Sequence, residues 1–120
     1  MTNLSGLAGI ALGGAAGTVL RHLALTALPW RPFVTVATIN ISGSFLIGFA
    51  WILLAAGAPQ TAIIMTGFLG GFTTFSAFSL DTLKLIEAGQ FITALAYVLA
   101  SVILSLFAVT LGVMSARHLT

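Results

Sequence analysis

The chain has 120 residues, of which 59% are hydrophobic and 5% charged. A soluble domain normally carries about 25% charged residues, and a chain this short cannot hide so much apolar surface in its own core. The mean hydropathy of +1.18 therefore points to a membrane protein; the four basic and two acidic side chains form no basic stripe for nucleic acid, and the absence of cysteine excludes disulfides, thiol catalysis and thiolate metal sites.

A transmembrane helix needs roughly 20 mostly apolar residues, and four segments supply them. No Lys or Arg precedes Arg21, so residues 1–28 lack the positive leading region of a signal peptide and read as a retained first span over about 4–28. That span is predicted to end at PWRP (29–32), where two prolines stop a helix. The second covers about 33–56 and ends at GAPQ (57–60). The third covers about 61–80 and the fourth about 91–116, separated by DTLKLIEAGQ (81–90), which holds three of the six charged residues. Within it Asp81, Lys84 and Glu87 read as a solvated helix end with a local ion pair. The expectation is an all-α membrane protein, one domain of four short-looped transmembrane helices.

Orientation follows the Lys/Arg bias of the loops. Both termini and the 57–60 loop share one side, which carries Arg117; the other side carries Arg31 and Lys84, with Arg21 if it snorkels that way. So small a bias leaves two readings standing, a single orientation and a homodimer of oppositely oriented copies.

In the first span, Arg21 and His22 fall about seven residues before the end. An intramembrane Arg is expensive and is either functional or snorkelling; a structural or vestibule position suits it better than mid-pore. Neither His22 nor His118 has a second ligand at metal spacing. Gly13 and Gly17, Ser44 and Gly48, and Gly67 and Gly71 are pairs of small residues four apart, the spacing that lets membrane helices approach closely.

The second span places Asn40 and Ser44 on one face, beside Gly43. An amide in hydrocarbon needs a partner, so the pair is either interhelical glue or the lining of a water- or ion-filled path. The third span contains GGFTTFSAF (70–78), where the Gly70–Gly71 pair is expected to break the helix. Non-helical backbone at membrane depth is tolerated only where it is buried in protein or lines a cavity, and broken helices supply ion sites in transporters. A restarted helix would set Phe75, Phe78 and Ser79 on one face, with Thr74 and Ser76 adjoining. Hydroxyls donate to anions, the edge of a phenyl ring is electropositive, and uncharged donors bind weakly enough for release. The plainer alternative makes the phenylalanines packing and the glycines a kink. On the fourth span Tyr97, Ser101 and Ser105 form a polar stripe at successive i+4 positions, with Gly112 further along the same side; it is either back-bonded hydroxyls or a second polar wall.

Three stretches, GGAAGTVLRH (13–22), TINISGSFLIG (38–48) and above all GFLGGFTTFSAFS (67–79), resemble the CrcB/Fluc family of fluoride channels, and the resemblance covers the whole chain. It implies an inverted, dual-topology homodimer in a prokaryotic plasma membrane that passively exports fluoride from the cytoplasm and so relieves fluoride toxicity, through a pair of pores between the subunits. By resemblance, Phe75 and Phe78 line each pore, Asn40 stands on the fluoride route, and Thr74, Ser76 and Ser79 supply hydroxyls around it. Ser101 and Ser105 fit the polar positions of the last span, and Arg21 the vestibule. The resemblance also implies a structural sodium ion at the dimer interface, held by main-chain carbonyls of Gly70 and Thr73 from both subunits. Ala77 stands where many members carry Thr, which removes one hydroxyl from the row.

Other classes fit less well. A small proton-coupled multidrug exporter needs an intramembrane carboxylate, whereas Asp81 and Glu87 are expected at or beyond the span ends. An accessory subunit gives the broken span no purpose, and no catalytic triad, metal cluster or cofactor loop can be assembled for an enzyme.

Overall fold

The computed structural model describes residues 3–120, and these are helical almost throughout. Helix α1 (Leu4–Ala27) opens on Asn3, whose side chain accepts the Gly6 amide at 2.8 Å, a local cap for an otherwise unpaired donor. It stops before Pro29. Helix α2 (Pro32–Leu53) starts on a proline whose fixed φ suits the first helical position. The third span is a composite: a single turn, α3 (Pro59–Thr61), then π-helical winding over Ala62–Leu69, here π1, and then α4 (Gly70–Phe72). After two extended residues the chain resumes as α5 (Phe75–Glu87), and α6 (Phe91–Leu119) completes it.

Four helical stretches are long and apolar enough to cross a membrane, and the third of them runs from Pro59 to Glu87. The third span is therefore longer than its sequence suggests. Residues 81–87, expected beyond the span as a solvated helix end, continue α5. It ends at Gly89, whose φ of +76° lets Gln90 and Gly89 turn back to the carbonyls of Leu85 and Ile86 at 2.9 and 3.0 Å.

Packing divides the spans into two parallel pairs. In the first, α1 lies on π1 and α4 through interleaved glycines. A Cβ at Gly17 would strike the Phe68 carbonyl, one at Gly13 or Gly67 would meet the carbonyls of Ile63 or Ile10, and one at Gly71 would strike the Gly14 carbonyl. In the second pair α2 lies on α6, where Gly48 faces the Val109 carbonyl and Gly112 faces that of Phe45 with no room for a methyl. Gly112 is thus a packing residue rather than part of a polar stripe. Helices gain little from the hydrophobic effect in lipid, so such backbone-to-backbone approach supplies much of the attraction. The half-span α5 leaves the first pair and seats on the second, where Phe78 and Leu85 join Val36, Ala94 and Tyr97 in one buried cluster.

Gly17 and Gly14 separate close approach from mere smallness. Gly17→Ala should destabilise the detergent-solubilised protein by about 1–3 kcal/mol through overpacking. Gly14→Ala meets nothing nearer than the Gly67 carbonyl at 3.7 Å and should be tolerated. Thermal unfolding of the two variants side by side checks this, and equal midpoints would refute it.

Candidate functional site

The site grows from the interruption of the third span. Thr73 (φ −84°, ψ 159°) and Thr74 (φ −153°, ψ 121°) are extended, whereas Gly70 is helical at φ −63°, ψ −36°. The span is broken, as expected near Gly70–Thr73, but at the two threonines rather than at the glycines; Gly71 serves instead the close packing against α1, where a Cβ would strike the Gly14 carbonyl.

Two extended residues release backbone groups that a continuous helix would pair, and several of these find other partners. The Thr74 amide, which would bond the Gly70 carbonyl, donates instead to Asn40 Oδ1 at 2.8 Å, and Asn40 Nδ2 donates to the Thr74 carbonyl at 2.9 Å. The Asn40 amide thus reads both polar groups of one residue and keeps one N–H in hand. The Ala77 amide, which would bond the Thr73 carbonyl, donates to Thr74 Oγ1 at 3.1 Å, so Thr74 caps α5. Thr73 turns its own hydroxyl to the Leu69 carbonyl at 2.9 Å. The carbonyls of Gly70 and Thr73 are left without their helical donors. The Gly71 carbonyl finds a different partner, Arg21 Nε at 3.2 Å, with Thr18 Oγ1 at 3.4 Å.

Beside the break lies a cavity of about 370 Å³, open along one flank. Its lining includes Asn40 and Ser44 of α2, Gly70, Thr73 and Thr74 at the break, Phe75 and Phe78 of α5, and Ser101 and Ser105 of α6. No charged side chain lines it. The Ser44 hydroxyl is bonded to the Asn40 carbonyl of its own helix at 2.7 Å. The Ser101 hydroxyl is buried and has no protein partner, an orphaned donor at the cavity wall.

Most of the residues singled out in the sequence converge here, and three do not. Ser79 turns its hydroxyl to the Phe75 carbonyl at 3.0 Å, and Ser76 faces Thr74 Oγ1 at 3.3 Å; both are exposed outside the lining. Arg21 stands across the third span from the cavity, against α4. Its Nε–H is directed to the Gly71 carbonyl, which fits the structural alternative of the sequence reading.

The two phenylalanines differ sharply in environment. Phe75 is 77% exposed and Phe78 only 8%. Phe78 packs between Phe75 and Tyr97, with ring centroids 5.4 and 5.1 Å away, and Tyr97 meets Phe33 edge-on at 5.4 Å. This row of rings was not legible beyond its two phenylalanines, because Phe33 and Tyr97 come from other helices. Asp81 also corrects the expectation of a solvated ion pair: it sits half-buried on α5, and Tyr97 Oη donates to its Oδ2 at 3.4 Å.

Among the described residues no cluster of His, Cys, Asp or Glu could hold a metal.

Residues 8–113 match the family model described as "CrcB-like protein, Camphor Resistance (CrcB)". The chain belongs to the CrcB family. It is 47% identical to the fluoride-specific ion channel FluC of Paracoccus denitrificans over 92% of this chain and 93% of that one. The FluC of Rhizobium meliloti is 46% identical over 86% and 89% of the two chains, and that of Geobacter metallireducens 46% identical over 92% and 95%. With four apolar spans, this CrcB chain is a multi-pass membrane protein.

Asn40→Ala strands both polar groups of Thr74, and each buried orphan costs about 1–3 kcal/mol, so a loss of roughly 2–6 kcal/mol is expected. Chemical denaturation in detergent measures it; a loss below that of a typical surface substitution would show that Asn40 does not hold the break.

Proposed function

We propose that the chain is a passive, fluoride-selective channel of the plasma membrane, built from two oppositely oriented copies. The observation that carries this reading is the cavity beside the break, lined by uncharged donors and phenyl rings without one charged side chain. The names of the relatives point the same way.

A small anion must exchange its hydration shell for donors that hold it weakly enough to let it leave. The second amide hydrogen of Asn40, the unpartnered Ser101 hydroxyl, the Ser105 and Thr74 hydroxyls, and the edges of Phe75 and Phe78 are such donors. Ser76 and Ser79 lie outside the lining and would join the route only at its end. A cationic side chain in the cavity would bind the anion too firmly for flux.

The pairing of two copies rests on exposure. A polar cavity open toward lipid would leave hydroxyls and amides without partners, and Phe75 projects from the chain. A second copy laid across the opening satisfies both. The near balance of basic residues between the two faces permits that copy to be inverted. The free carbonyls of Gly70 and Thr73 fit a hard monovalent cation, since unwound carbonyls are the usual sodium ligands in membrane proteins. Two from each copy would hold a sodium ion at the interface, where its charge offsets the facing carbonyl dipoles and joins the subunits.

The exporter reading gains one feature, a half-buried carboxylate at Asp81. That group is outside the cavity lining and engaged by Tyr97, which favours the channel.

In liposomes under a potassium–valinomycin clamp, fluoride should leave without a proton gradient and chloride should not follow at a comparable rate. Phe75→Ile should suppress that flux while the protein stays folded, because the ring makes little contact within one chain. Equal chloride flux, or flux only under a pH gradient, would sink the proposal. Antiparallel assembly predicts that an impermeant reagent applied from one side labels a cysteine placed at position 120 in about half of the copies, the fraction that a random two-way orientation gives. Labelling of all copies, or of none, would rule it out.

A further inference from the structure

Arg21 lies six residues before the end of α1. An arginine at that depth ordinarily snorkels toward the nearer interface. Helix geometry works against this here, because side chains lean toward the N-terminus of their own helix. For Arg21 that direction is away from Ala27 and toward the membrane interior. The side chain follows the lean, and its Nε–H donates to the Gly71 carbonyl at 3.2 Å. Thr18, one turn earlier on the same face, brings its hydroxyl to 3.4 Å from the same oxygen. The approach is possible because Gly71 has no Cβ to collide with Gly14.

The Gly71 carbonyl needs this partner. In an unbroken helix the Phe75 amide would fill it, but Phe75 begins α5 after two extended residues. The break therefore frees successive carbonyls at Gly70 and Gly71. Successive carbonyls on a helix are rotated by about 100°, so anchoring one toward α1 fixes the direction of the other. Gly70 and Thr73 both border the cavity on the far side.

We infer that Arg21 is a positioning residue for the break: its Nε–H anchors the Gly71 carbonyl on the α1 side and so keeps the Gly70 and Thr73 carbonyls as the free oxygens on the cavity side. The anchor itself stands on the geometry, and only its service to a cation rests on the sodium proposal above. What matters in Arg21 is a donor at one position along the side chain rather than the positive charge.

Two uncharged substitutions separate these. Glutamine carries an N–H group as many bonds from Cα as Arg Nε; methionine has the same length and places a methyl there. Hydrogen–deuterium exchange of the purified full-length protein in sodium buffer reads the result in a peptide covering residues 69–77. Arg21→Gln should stay within about threefold of the unsubstituted rate, and Arg21→Met should exchange roughly tenfold faster or more, the loss expected for an orphaned buried carbonyl. Peptides from α6 should not change in either. Gln exchanging as fast as Met would overturn the inference, because charge or bulk would then be the cause. Met exchanging as slowly as the unsubstituted protein would overturn it too. Replacing sodium by N-methylglucamine in the unsubstituted protein tests the cation separately. No effect there, with the Gln–Met contrast intact, removes the sodium reading and leaves the anchor supported.

Discussion

Everything distinctive in this chain depends on one side-chain amide matched to one backbone residue. Asn40 on α2 accepts from the Thr74 amide and donates to the Thr74 carbonyl, at 2.8 and 2.9 Å. Without that match, two extended residues could not persist at membrane depth, where water is absent and each unpaired backbone group costs several kcal/mol. The pairing also decides what else is free. Once the Thr74 amide donates to Asn40 and the Ala77 amide donates to the Thr74 hydroxyl, the carbonyls of Gly70 and Thr73 lose their helical donors. An arrangement that satisfies the interruption at one place thereby creates uncommitted oxygens at the next.

The glycines make the break possible from the outside. Interleaved positions on α1 and on π1–α4 bring two backbones together so closely that a methyl would strike a carbonyl. That contact holds the first half of the third span while α5 departs to pack on α2 and α6. The span is thus clamped at both ends by different partners and interrupted where it changes allegiance. The cavity occupies the gap between the pairs, which is why its walls come from α2, the break and α6 together.

How much of this was legible follows from the range of each interaction. Spans of apolar residues, the prolines that stop the first span and the small-residue spacing are local signals, and four apolar helical stretches are present. The end of the third span was placed too early because three charged residues suggested a solvated helix end, although Asp81 falls at helical spacing between Phe78 and Leu85, which face the core. Gly71 was misread for a related reason: sequence shows that glycine can break a helix, not that a neighbouring helix requires its smallness. Asn40, Thr74, Ser101 and Phe78 line one cavity. The partners of Arg21 and Asp81 were out of reach, since the Gly71 carbonyl is available only once the break is placed, and Tyr97 Oη only once α6 is docked.

The polar groups at the break sort by strength, and that sorting bears on what the site can do. The charged donor, Arg21, is spent on a backbone carbonyl across the span from the cavity. The carboxylate nearest the aromatic row, Asp81, is engaged by Tyr97. What remains facing the cavity is weak and neutral: one amide N–H, a few hydroxyls and the edges of two rings. A full charge within such a low-dielectric space would bind a counter-ion by many kcal/mol and hold it, whereas neutral dipoles each contribute on the order of 1 kcal/mol. Fixed charges that brace the break from outside the cavity, with only dipoles inside, are the division of labour that a conducting anion path requires and that a tight binding site would reverse.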